Sequence, residues 1–337
     1  MKHVIYDFDN TIGVRFSDVD DGLAFLYLLS QSETVELLGV TTTYGNSREE
    51  TVYQSTLRQL KDLGREDIPV RRGGDAPGVY ESDAADFLVT MANRHPGELS
   101  ILATGSLTNL GGAVKKDPSF FSKIKEVVLM GGITEPLVFA KNKMDELNFS
   151  CDPWASLQVL TADCPVTVVT GNNCLKVLFT MKEYRNELYS AGTPVGDYIR
   201  DRTHLYIGLN EAIFGIEGFY NWDVLAAVYL AHSEYFEDTR GMYALSEADL
   251  ATGFLRASEA GPTELNLPVI KDPDAFKAHV YESWRSVSVP YRSRNNAFTL
   301  ALQRAFGAVL DRAAAFLWNR GKVGVRYTGE GYGGHGS

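Results

Sequence analysis

A repeated unit constrains the fold more than any other feature: an apolar, β-branched run of strand length ends in a small or polar motif, and a helical pattern follows. Glu36 to Tyr44 (ELLGVTTTY) ends at Gly45-Asn46 before Ser47 to Leu63. Leu99 to Ala103 ends in TGSLTN, Thr104 to Asn109, before Gly111 to Lys116, and Val127 to Met130 runs into Gly131-Gly132. Strands covered on both faces read as continuous apolar runs, and a helix between successive strands makes them parallel. The expected fold class is α/β, an open, mostly parallel sheet flanked by helices, with its strand-to-helix loops gathered along one edge.

The remaining segments fit around that sheet. Ile68 to Arg71 and Val166 to Thr170 read as strands, and Ser82 to Arg94, Asp152 to Leu160 and Leu175 to Ala191 as helices. Ile133 to Phe149 reads as a long, partly polar loop, Pro194 to Phe219 as a segment with a helix at the mouth of a site, and Val224 to Ala231 as an apolar helix. Residues 240–290 alternate weakly, as short strands or an edge hairpin do, and Ala301 to Trp318 suits an alanine-rich helix. Residues 1–320 are expected to form a single domain and the glycine-rich 321–337 a flexible tail.

The first unit carries the densest chemistry. Val4 to Tyr6 is a strand ending in Asp7 and Asp9, and Asp18, Asp20 and Asp21 precede the apolar helix Leu23 to Leu29. Carboxylates crowded where a strand ends and a helix begins repel one another, so they are easiest to tolerate around a hard cation such as Ca²⁺ or Mg²⁺. A helix cap alone needs one acid and leaves Asp7 and Asp9 without a role.

Composition narrows the partners. A net charge of −11 opposes binding to nucleic acid or to anionic membranes, and no apolar run reaches the length of a membrane span. The three cysteines, Cys151, Cys164 and Cys174, have no CxxC spacing. With no signal-peptide pattern at the N-terminus, a reducing, cytoplasmic location is expected. None of His3, His95, His232, His279 and His335 shows metal-ligand spacing.

Taken in order, these motifs resemble the inosine-uridine-preferring nucleoside hydrolases, calcium-dependent enzymes that cleave the N-glycosidic bond of ribonucleosides. The resemblance rests on Asp7-Phe8-Asp9 with Asp20-Asp21-Gly22, Gly45-Asn46, TGSLTN from Thr104, and LMGG from Leu129 to Gly132. It continues through Glu146-Leu147-Asn148, Asp152-Pro153 and Trp222-Asp223. It implies that Asp9, Asp21 and Asp223 bind Ca²⁺ through carboxylates and Thr104 through its carbonyl, with Asp9 orienting and deprotonating a water. It also implies that Asp20, Glu146 and Asn148 hold ribose hydroxyls, with Asn46 and Asn142 nearby and Met130 under the sugar. A homodimer or homotetramer is the implied assembly. On physical grounds alone Met130 reads equally as core, Asn148 as a loop-stabilising amide, and Thr104 and Asp223 as helix caps.

Two departures bear on specificity. Many members of the family place histidine before the last acid, where this chain has Trp222, whose indole has a donor N–H but cannot shuttle a proton. It can stack on a base, leaving activation of the leaving group to stacking, to solvent, or to His204 or Tyr206; His204 reads equally as an ordinary surface histidine. The second departure is the stretch between Asp9 and Asp20, longer than the family's tight turn. A rival reading takes VIYDFDNTI as the opening of a haloacid-dehalogenase-type Mg²⁺ phosphatase, with Asp7 as nucleophile, Asp9 as general acid and Thr11 beside them. It leaves the downstream motifs without roles. A non-catalytic nucleoside-binding protein is the other alternative.

Overall fold

A computed structural model of the protein describes residues 1–139 and 142–293. The helix expected over Ala301 to Trp318 and the tail 321–337 lie outside the described residues. Eight strands form the main sheet: β1 (Lys2–Phe8), β2 (Val35–Thr42), β3 (Val70–Arg71), β4 (Leu99–Ala103), β5 (Glu126–Met130), β6 (Val166–Val169), β7 (Arg240–Tyr243) and β8 (Thr263–Asn266). Their order is β7-β8-β6-β5-β4-β1-β2-β3. All neighbours are parallel except β7 and β8 at one edge.

Alternation along the strands sorts the core into two layers. Val4, Tyr6 and Phe8 of β1 join Leu102, Val128 and Val169 on one face. Packed on that face are α1 (Asp20–Ser30) and two later helices, Trp222–Ala231 and Pro273–Ser286. Ile5, Ile101, Ala103, Val127, Leu129 and Val168 face the other way. There they meet α3 (Asp83–Arg94), α4 (Thr108–Lys116) and α5 (Pro153–Leu160), while α2 (Glu49–Leu63) follows β2. The two later helices are α7 (Trp222–Ala231) and α8 (Pro273–Ser286), and α6 (Pro194–Phe214) precedes them. Trp284 of α8, fully buried, donates its indole N–H to the Leu23 carbonyl at 3.0 Å and so fixes α8 to α1. With both faces covered, ligand access is left to the carboxyl edge of the strands, where a parallel sheet places its loops.

The structure corrects three expectations. Leu175 to Ala191 is not one helix: Phe179–Thr180 pairs antiparallel with Gly218–Phe219, and Thr180 and Glu183 then form a capping box that starts a new turn, Met181–Tyr184. Residues 240–290 hold the expected edge hairpin, β7 with β8, but also α8. Asp272 accepts from the Asp274 and Ala275 amides and Pro273 occupies the first turn, a start signal that the weak alternation hid. The expected loop 133–149 contains a short hairpin, Leu137–Phe139 with Asn142–Met144.

Candidate active site

The site assembles from strand ends and helix starts. β1 delivers Asp7 and Asp9 to the carboxyl edge, α1 begins with Asp20 and Asp21, and α7 carries Asp223 in its first turn. The positive ends of two helix dipoles thus point at one group of acids. One carboxylate oxygen from each of Asp20, Asp21 and Asp223 lies within 4.8 Å of the others. Asp9, Asp20, Asp21 and Asp223 are each at most 3 % exposed.

Few groups share the task of holding them. The Asn46 backbone amide donates to Asp9 Oδ2 at 2.5 Å, and its side-chain amide to Asp9 Oδ1 and Asp21 Oδ2, each at 3.3 Å. Thr104 Oγ1 donates to Asp21 Oδ1 at 2.8 Å, and the Asp223 amide to Asp20 Oδ2 at 3.2 Å. Gly45 is required by close approach, since a Cβ there would stand 2.0 Å from Asp9 Oδ2. No basic side chain enters these contacts. Burial pushes Asp9 up to about 7, with Asp20 and Asp18 adding repulsion. Asp20, Asp21 and Asp223 are driven well above the ordinary carboxylate range by burial and by one another. An unneutralised cluster of this kind has the donor set of a divalent-metal site, all hard oxygen.

Above it opens a cleft of about 820 Å³. Asp20, Thr104 and Asp223 form part of its lining, and Asn46, which also lines it, ties in Asp9 and Asp21 behind them. Met130, Glu146 and Asn148 line it as well. Asn148 Nδ2 donates to the Thr104 carbonyl at 2.8 Å and to the Met130 carbonyl at 3.0 Å, joining two strand ends. The Glu146 carboxylate accepts from the Gly132, Phe149 and Ser150 amides at 3.1, 2.8 and 2.9 Å, so it shapes its own loop as well as facing the cleft. Asn142 opens the second strand of the short hairpin, whose Leu137 and Met144 line the cleft.

The opposite wall is aromatic. Trp222, Tyr206, Phe219 and Tyr220 line it; the Tyr206 and Phe219 rings stand 5.5 Å apart and the Tyr220 and Trp222 rings 5.6 Å apart. His204, offered with Tyr206 as a group to activate the leaving base, is not among the described residues lining the cleft: two residues before Tyr206, it turns its Nδ1 to the Arg200 carbonyl at 2.6 Å. Helical spacing accounts for the difference, because residues two apart on α6 point to different sides. Sequence reasoning gave Asp18 no role beyond the acidic cluster, yet it lines the cleft, with Oδ1 accepting from the Val19 amide at 2.6 Å and Oδ2 from Tyr206 at 3.1 Å. Its place in the long stretch after Asp9 was the available signal.

Asp7, the nucleophile of the phosphatase reading, is fully buried and accepts from Thr41 at 2.5 Å and Asn109 at 2.7 Å through the same oxygen. It is not among the described lining residues, and Thr11, also buried, donates to the Asp18 carbonyl at 2.8 Å. That geometry ties β1 to β2 and α4 through Asp7. At the other end of the sheet, His3, His95 and Glu98 bring ligand atoms within 4.8 Å of one another, a grouping that sequence spacing did not reveal because His3 comes from β1 while His95 and Glu98 lie in the connection from α3 to β4.

Comparison with known proteins agrees with this geometry. The profile of the inosine-uridine preferring nucleoside hydrolase family matches residues 4–278. A probable uridine nucleosidase 1 of Oryza sativa subsp. japonica is 30% identical over 266 residues, covering 70% of this chain and 80% of its own. Uridine nucleosidase 1 of Arabidopsis thaliana is 28% identical, covering 70% of this chain and 77% of its own. Among solved structures, the plant nucleoside hydrolase PpNRh1 superposes with a TM-score of 0.74 at 23% identity, over 85% of this chain and 99% of that one. A purine-preferring ribonucleoside hydrolase from Gardnerella vaginalis gives 0.72 at 22% identity, over 85% of this chain and 99% of its own. With the family profile matching residues 4–278, the chain belongs to the inosine-uridine preferring nucleoside hydrolases, enzymes that hydrolyse the N-glycosidic bond of nucleosides.

Proposed function

We propose that this chain is a calcium-dependent ribonucleoside hydrolase in which Asp9 deprotonates the attacking water. The observation that carries the reading is the buried, mutually repelling set Asp9, Asp20, Asp21 and Asp223, with no basic side chain in its contacts. Asp9, Asp21 and Asp223 with the Thr104 carbonyl would hold Ca²⁺, a choice over Mg²⁺ supported by the irregular, all-oxygen donor set. Calcium supplies positive charge that keeps the carboxylates ionised and polarises the oxygens gathered around it.

The protein's own groups do the rest. Asp20, Asn46, Glu146 and Asn148 bind ribose hydroxyls, with Asn142 near them and Met130 against the sugar, so that C1′ faces the water. Asp9 takes the proton as the water oxygen bonds to C1′ and the C1′–N bond breaks, its electron pair leaving with the base, which solvent protonates; the carboxylates favour the positive charge that develops on the ribose. Trp222 and Tyr206 contact the base. The chain would act on small ribonucleosides as a cytoplasmic homodimer or homotetramer, an assembly that light scattering on the purified protein checks.

Ribose release from uridine, inosine and adenosine, with calcium or a chelator, tests the function. Turnover that needs calcium and disappears in Asp9→Ala supports it. Phosphate release from phosphate esters in Mg²⁺, without action on any riboside, would refute it.

A further inference from the structure

We infer that the cleft favours ribonucleosides whose base carries a permanent positive charge, of the N-ribosylpyridinium or N-alkylated purine type; the inference rests on the hydrolytic reading above. The chemistry of the leaving group is the first reason. When a neutral nucleoside is cleaved, the C1′–N electron pair passes to the base nitrogen, and the resulting anion needs a proton from a nearby acid. When the base is quaternised, the same pair cancels the ring charge. Water oxygen bonds to C1′, its proton goes to Asp9, and the products are ribose, a neutral base and one proton. No acid at the base is required.

The cleft matches the second case. Its described lining contains no histidine and no lysine, and the residue before Asp223 is Trp222, whose indole cannot protonate a leaving base. The phenols there are weak acids: burial raises Tyr220 above its ordinary value, and Tyr206 directs its O–H to Asp18.

The second reason is attraction. Asp18 is outside the proposed calcium set but close to it, bonding Asp20 and adding repulsion at Asp9, Asp21 and Asp223, so it extends the negative potential of the acids toward the aromatic wall. The Val19 amide and the Tyr206 hydroxyl aim its carboxylate, and Tyr206 in turn contacts Phe219. An acid held by the hydroxyl of one aromatic residue, in a cleft that Phe219, Tyr220 and Trp222 also line, is an arrangement that binds organic cations. Outside the groups assigned to the metal and the sugar, the charged residues of the described lining are Asp18 and Asp145 against Arg48, a net negative charge.

The test uses the full chain with saturating calcium and compares N-ribosylnicotinamide, a cation, with uridine. The wild type is expected to show a kcat/KM for the cation at least about 10-fold above that for uridine, and Asp18→Asn to raise KM for the cation about 5-fold more than for uridine. Because a better leaving group reacts faster in any hydrolase, the KM shift carries more weight than the ratio of rates. A second measurement needs no variant: 1-methylnicotinamide, a cation, should inhibit uridine cleavage at concentrations where neutral nicotinamide does not. Equal inhibition by the two, or an Asp18→Asn shift that is the same for both substrates, would overturn the inference while leaving hydrolysis intact. Silence on both ribosides would instead overturn the hydrolytic reading, and this inference with it.

Discussion

At the floor of the cleft, Asp9, Asp20, Asp21 and Asp223 are almost wholly buried, sit at strand ends and helix starts, and are held by Asn46 and Thr104. At the wall, Tyr206 and Tyr220 are half-buried and stand on α6 and on the connection to α7, beside the irregular stretch that includes Phe179–Thr180. The floor depends on the register of the sheet itself: Asp7 lies opposite Thr41 and Ala103, which sets the level at which Asp9 and Thr104 emerge. The wall depends on loops and one long helix, which can change without disturbing the sheet. On the proposed function, the comparison assigns sugar and metal chemistry to the part built on the sheet, and recognition of the base to the part built on loops and one helix.

Damage to the floor should therefore cost far more than damage to the wall. Asp9→Ala should lower kcat by about 10³-fold or more, measured as ribose release, because on the proposed mechanism it removes the general base and a carboxylate that meets developing positive charge. Gly45→Ala reaches the same residue indirectly, by placing a methyl group against Asp9 Oδ2. It should lose most activity and calcium affinity while circular dichroism stays unchanged. If either variant kept near wild-type rates, the floor would not be where the chemistry occurs.

The acids also give the floor a pH signature that the wall lacks. Burial raises Asp9 from 3.8 to about 7 in the metal-free protein, so ionising it in the fold is unfavourable. The stabilisation that comes with its protonated form is complete below pH 3.8 and is lost as pH rises through about 7. On the proposed assignment calcium would bind the ionised form, so the increase in Tm on adding calcium should be larger at pH 8 than at pH 5. A calcium increment that shrinks with rising pH would contradict the assignment.

At the wall, Trp222→His should raise turnover of neutral nucleosides by about 10-fold or more, since it supplies an acid for the leaving base. The smallest effect is expected for Tyr206→Phe, which removes one hydrogen bond to Asp18. That bond is worth about 1 kcal/mol, so KM should move within about 5-fold and kcat little. A large kcat loss in Tyr206→Phe would make the phenol a proton donor and erase the distinction between wall and floor.

The same contrast explains what could be read from the chain. The parallel sheet and the floor were legible because strand-ending acids and amides recur in a fixed order, and Asp9, Asp20, Asp21, Thr104 and Asp223 do meet. The wall was less so. His204 and Tyr206 looked interchangeable in sequence, and only the turn of α6 decides that Tyr206 enters the cleft. Asp18 drew no role because its partner lies 188 residues away. The break at Thr180 and the start of α8 at Pro273 were carried by local caps that compete with apolar patterning, and patterning alone passed over them.

The most direct test of the central claim is the initial rate of base release from uridine and 2′-deoxyuridine by the same protein, each with calcium and with a chelator. Release from the ribonucleoside in calcium, with the deoxy compound at least about 100-fold slower and the chelated protein silent, is the result expected if the acids and calcium grip the sugar diol. Equal rates on the two nucleosides, or rates that do not respond to calcium, would contradict it.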